Sequence, residues 1–85
     1  MDNIARALLN AAAFLEFSPD DIVDPDSAVK ALEDIAFALQ NASAEEIESI
    51  RRAAAAEREA RAGIPGYEGT LEFFDNFLQS VGLVE

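Results

Sequence analysis

Eighty-five residues with 17 acidic and 6 basic side chains carry a net charge of −11, and 51% of the chain is hydrophobic. That is enough apolar residue for one small core, so a single ordered domain over residues 1–85 is expected, not disorder. There is no Cys and no His, which excludes His/Cys zinc sites, Ser-His triads and Cys-His dyads and leaves carboxylates, Lys30, Tyr67 and the Ser and Thr hydroxyls as reactive groups.

Helix 1 is predicted over residues 3–16, with Asp2 as cap. Its stripe is Ile4, Leu8, Ala11 and Leu15, widened by Ala7, Ala12 and Phe14. Leu9 falls away from the stripe centre and is expected to be half exposed or to touch another element. Asp2 offsets Arg6 and Asn10 interrupts the apolar run, so a cleaved leader is not expected. Ser18-Pro19-Asp20-Asp21 repeats a capping pattern on a small scale. It predicts a one-turn insert near 19–23, with Ile22 and Val23 plugging the core.

Helix 2, over residues 25–41, has the clearest signal and is expected to be the element the others pack around. Asp24 is its N-cap, Pro25 suits the first helical position, and Asp26 complements the dipole. Ala28, Leu32, Ile35 and Leu39 share one stripe. Phe37 breaks the pattern, at about 180° from Ala28, among Asp26, Lys30, Glu33 and Asp34.

Helix 3, over residues 44–62, opens on the capping box Ser43-Ala44-Glu45-Glu46 and stops at Gly63 and Pro65. Ile47, Ile50 and Ala54 form a thin apolar stripe that continues as Glu57, Arg58 and Arg61, while Ser49, Ala53, Ala56 and Ala60 form a small-residue face. Glu48–Arg52 and Glu57–Arg61 are favourable i,i+4 pairs. The second half is expected to be held by helix propensity more than by core. The breaker-rich segment 63–69 leads to helix 4 over residues 70–81. Its Leu71, Phe73, Phe74, Phe77, Leu78 and Val81 form the largest apolar face. Gly82 ends it, and Leu83 and Val84 are expected to fold back.

The acidic balance disfavours nucleic acid and anionic membrane, and favours a basic protein partner or simple solubility. No apolar run approaches the ~20 residues of a membrane span, so a cytoplasmic location is expected. Residues 16–34 hold seven acidic side chains against only Lys30, and residues 51–61 hold four arginines against Glu57 and Glu59.

Asp20, Asp21, Asp24 and Asp26 fit no calcium loop. From Asp20 the third position is Ile22 and the sixth Pro25, and from Asp24 the fifth is Ala28. Glu33 and Asp34 are adjacent on a helix and do not face each other, so they suit solvent better than acid–base work. For Phe37 two readings compete. The favoured one places it in the core of a four-helix bundle. The sharper one makes Asp26, Lys30, Glu33, Asp34 and Phe37 a partner-binding face, an aromatic anchor in a charged rim. Phe73, Phe74 and Phe77 are expected to be mostly core, with a dimer through helix 4 as the alternative.

Asp26-Ser27 ahead of a helix resembles the Asp-Ser-Leu of acyl carrier proteins, although Ala28 stands in place of the leucine. That resemblance implies a phosphopantetheine arm on Ser27. In size, charge and helicity the chain is similar to the immunity proteins of nuclease bacteriocins, without their motifs, which implies an inhibitor masking a basic surface. The expected fold is all-α, four helices with a one-turn insert. The expected function is a non-enzymatic interaction domain, with no catalytic residue, cofactor or metal. A self-associating scaffold or regulatory subunit is the alternative, and a carrier-like protein a remote one.

Overall fold

The computed structural model describes residues 2–66 and 68–82. Among them are five helices and no strand: α1 Asn3–Phe17, α2 Pro25–Leu39, α3 Ala44–Arg61, α4 Glu68–Asp75 and α5 Phe77–Ser80. The capping chemistry forms at the starts of α2 and α3. Asp24 accepts from the Ser27 N–H at 3.0 Å, with Pro25 behind it. Ser43 and Glu46 close a reciprocal capping box, at 3.1 Å and 2.7 Å. Gly63 and Gly82 follow α3 and α5 at φ 81° and 82°, a left-handed conformation that costs glycine little.

The predicted fourth helix starts at Glu68 and is interrupted at Asn76, which has φ −107° and ψ 6°. Backbone bonds bridge the break from both sides: Asn76 N–H donates to Glu72 at 3.0 Å, and Ser80 N–H to Asn76 at 2.8 Å. At the other predicted short element, the Ile22 and Val23 N–H groups both donate to the Pro19 carbonyl, at 2.9 Å and 3.0 Å, making one turn. Ile22 does not plug the core. It is 63% exposed while Val23 is half-buried, because successive residues of one helical turn point about 100° apart and only one can face inward. Ser18 belongs to the end of α1, since both its N–H and its hydroxyl donate to the Phe14 carbonyl. Leu83 and Val84 lie outside the described residues.

The core runs along α1 and α3, not α2. Ala5, Leu9 and Ala12 of α1 meet Ile50, Ala53 and Ala54 of α3 and Phe74, Phe77 and Leu78 of α4 and α5 in one buried cluster. Leu9 is fully enclosed and Ile4 is 87% exposed, so the buried stripe of α1 is rotated by one residue from the predicted one. Helix α1 is apolar nearly all round, and its periodicity alone cannot set its phase. The alanines on α1 and α3 let the two axes approach closely. Phe17 and Phe73 lie edge to face at 5.6 Å, and Phe73 meets Phe74 and Phe77 in the same way at 5.8 Å and 5.7 Å. These contacts tie the end of α1 to α4 and α5. At Gly69 an added Cβ would lie 3.4 Å from the Phe17 ring, an ordinary van der Waals contact, so α4 passes close against the end of α1 here.

Helix α2 runs antiparallel to α1, since Ala38 and Leu39 lie near Ile4 and Leu8 while Val29 and Leu32 lie near Glu16. It buries only Ala28, with Leu32, Ile35 and Leu39 half-buried. Its far end is held by Gln40, whose amide donates to the Val81 carbonyl at 2.9 Å. The helix with the strongest sequence signal is therefore peripheral. Capping and periodicity establish that a helix forms, not how many neighbours it has.

Candidate interaction surface

Among the described residues, no helix covers the outer side of α2. Asp26, Lys30, Glu33 and Asp34 are all exposed there, and Phe37 is 78% exposed. The favoured core reading of Phe37 is thus overturned: α2 packs through its Ala28/Leu32/Leu39 side, and Phe37 lies opposite. The structure places all five predicted residues along one solvent face. It also adds Val29, which is exposed, three residues after Asp26 and four before Glu33. Lys30 and Asp34 stand 4.0 Å apart, both largely solvated. Such a pair contributes little to stability and leaves the face acidic.

The acids at the start of α2 are structural in part. Asp24 Oδ2 accepts from both the backbone N–H and the hydroxyl of Ser27, at 3.0 Å and 3.1 Å. The one hydroxyl singled out in the sequence is thus engaged in the cap. Among the described residues, no three acidic side chains are grouped so as to hold a metal ion.

Sequence reasoning missed a buried ionic cluster between α1 and α3. Glu57 is 5% exposed. Its Oε1 accepts from Arg6 Nε at 2.8 Å and from the Asn10 amide at 3.4 Å, and its Oε2 takes Arg61. Arg61 also donates to Asn10 Oδ1 at 2.8 Å and lies 5.0 Å from the centre of the Phe74 ring. The hydrogen bond from Arg6, and then Arg61, holds the Glu57 carboxyl below the usual carboxylate range, against the opposing effect of burial. This cluster, not propensity alone, fixes the second half of α3. Its signal in the sequence is Arg6 and Asn10, spaced i,i+4 in an otherwise apolar helix, opposite Glu57 and Arg61 at the same spacing. Every buried side-chain polar atom among the described residues has a partner, so the cluster is closed and holds α1 to α3.

A second unpredicted linkage joins the starts of α1 and α3. Asp2 occupies the N-cap position of α1, as expected, but its side chain makes no capping bond. Its carboxylate accepts from the Ser49 hydroxyl at 2.8 Å and from Arg52 at 3.1 Å. Arg52, then Ser49, lowers its pKa. The predicted Glu48–Arg52 pair acts only at longer range, its charge favouring the Arg52 cation after that of Asp2, and Glu48 meets Arg51 directly at 3.4 Å.

Two clefts flank α2. The smaller, about 290 Å³, runs between α2 and the α4–α5 pair and is lined by Leu32, Ile35, Phe73, Phe77 and Val81. The larger, about 640 Å³, opens where the start of α1, the end of α2 and the start of α3 converge. Its walls are Ile4, Ala5, Leu8, Leu39, Ala42 and Ile50, and its rim carries Asp2, Glu45, Glu46, Glu48 and Arg52. The helix 4 phenylalanines offer no comparable free face. Phe74, Phe77 and Leu78 are buried in the chain's own core, and Phe73 is half-buried in the aromatic cluster.

Among the described residues, no helix is long and apolar enough to cross a membrane. Comparison of the chain with protein-family models, with curated proteins and with solved structures finds no match.

Proposed function

We propose that this protein is a non-enzymatic, cytoplasmic interaction domain that engages a basic protein surface through the outer face of α2. One observation carries the reading: Phe37, a large aromatic ring, stands 78% exposed on a well-capped helix. An aromatic anchor inside a charged rim is the arrangement by which a few residues supply most of a binding energy. Asp26, Glu33 and Asp34 would steer a cationic partner to it. The net charge of −11 acts in the same direction at longer range. An inhibitor that masks a basic surface is the most concrete version of this function.

The test is site-specific photo-crosslinking in cells. A photoreactive residue replaces Phe37, and a control replaces Glu59, exposed on α3. The reading expects one predominant, basic crosslinked protein from position 37. Neutralising Asp26, Glu33 and Asp34 to their amides should remove that product. Equal crosslinking from both positions, or a product that survives neutralisation, rejects the reading.

A further inference from the structure

We infer that the larger cleft, between the start of α1, the end of α2 and the start of α3, is a second binding site that accepts a basic amphipathic helix from another protein. This inference does not rest on the Phe37 face. Three observations carry it. The cleft has about 640 Å³ of open space, within the range of about 300–1,000 Å³ typical of ligand sites. Its walls are apolar, and Ile4 at its edge is 87% exposed in a chain whose other α1 apolar residues are better covered. Its rim is net acidic: Asp2 and Arg52 pair at 3.1 Å, which leaves Glu45 together with Glu46, which also serves the capping box, and Glu48, which also meets Arg51 at 3.4 Å.

The chemistry of the occupant follows from these features. The cleft walls are helices and the short α2–α3 link, where the Ala42 N–H bonds the Leu39 carbonyl at 3.0 Å, and the described residues include no strand edge to which an extended peptide could add. A helix brings its own satisfied backbone. It can lay residues spaced i, i+3 or i+4, and i+7 against Ile4, Leu8 and Leu39. Lysines or arginines beside that stripe would meet the rim carboxylates. A second copy of this chain is a poor occupant, because the outer face of its α2 is itself acidic. Its α3 arginines are also committed: Arg51 to Glu48 at 3.4 Å, Arg52 to Asp2, Arg58 to Asp75 at 2.8 Å, and Arg61 to Glu57. Anionic lipids meet the same repulsion at the rim.

The experiment uses two synthetic helical peptides of about 20 residues, long enough to sample helix in isolation. Both carry leucines at i, i+3, i+4 and i+7. One has lysine and the other glutamate at the flanking positions. Binding is read by fluorescence anisotropy, and its location by backbone amide shifts in the whole chain. The lysine peptide should saturate, shift the amides of Ile4, Leu8, Ala38 and Ala42, and weaken as salt rises. Ile4→Ser should weaken it at least about tenfold, and Glu45→Lys combined with Glu48→Lys should do the same. Phe37→Ala should leave it unchanged, so failure here and failure of the Phe37 reading are separable. Ile4 is exposed, so its replacement should not compromise folding, which circular dichroism verifies. The proposal is overturned by equal binding of the glutamate peptide, by absence of saturation at about 1 mM, or by shifts centred on Glu33 and Phe37. It is also overturned by a dimer in sedimentation that Ile4→Ser abolishes, which would assign the cleft to a second copy.

Discussion

Arg6 on α1 donates to Glu57 on α3 at 2.8 Å, although 51 positions separate them in the chain. The carboxylate is buried and the guanidinium is half open to water, with side-chain exposures of 6% and 57%. The two residues therefore respond differently to removal. Loss of Glu57 removes the carboxylate that Arg6, Asn10 and Arg61 share across the α1–α3 seam, whereas loss of Arg6 leaves Glu57 still bound to Arg61 and Asn10. Glu57→Ala should cost about 2–4 kcal/mol and Arg6→Ala about 1–2 kcal/mol in urea melts. The reverse order would show that Arg6 is the indispensable partner.

The same cluster sets a pH dependence. The pKa of folded Glu57 lies below its unfolded value because of Arg6 first and Arg61 next. Its stabilising contribution is thus complete above the unfolded value and is lost as pH falls through the folded one. The chain carries a net charge of −11, and relief of that repulsion on acidification acts in the opposite sense. The difference between wild type and Glu57→Gln isolates the cluster. That difference in unfolding free energy should be constant above about pH 5.5 and shrink below about pH 4. A difference that stays flat down to pH 3 rules out the ion pairs as its source.

Phe37 and Leu9 make a matched test of what is core. Leu9→Ala should cost about 2–5 kcal/mol, because it opens a cavity in a fully enclosed site. Phe37→Ala should stay within about 0.5 kcal/mol, as at other solvated positions. A loss of about 3 kcal/mol or more at Phe37 would place the ring in the core and remove the anchor from the outer face of α2.

Helix α2 should open more readily than its neighbours. It has one buried residue and packs against α1 alone along most of its length, whereas α3 has four buried residues and the Glu57 cluster. Hydrogen exchange at the amides from Val29 to Ala38 should therefore be faster than at those from Ile50 to Glu57, despite the stronger caps and apolar stripe of α2. Equal protection would mean that α2 unfolds only with the whole molecule.

Most helix ends were legible from short-range chemistry, the break at Asn76 excepted. Asp24-Pro25, the Ser43 to Glu46 box, Gly63 and Gly82 mark helix ends through hydrogen bonds and backbone preferences that act within a few residues. These remain readable without neighbours. The sequence also determined the acid excess and the missing His and Cys. Tertiary structure decided which face of each helix is inside. In α1 the stripes beginning at Ile4 and Ala5 are both apolar with the same spacing, and only contact with α3 selected Ala5, Leu9 and Ala12. In α2 the hydrophobic stripe was read correctly, but its depth depends on how many helices cover it, and only α1 covers most of it. Phe37 was thereby left in water. In α3, spacing alone shows Glu57 as one half of an i,i+4 pair with Arg61, and only Arg6 and Asn10, distant in the chain, enclose it. Burial is a property of pairs of surfaces, and the spacing of residues along one helix specifies only one member of each pair.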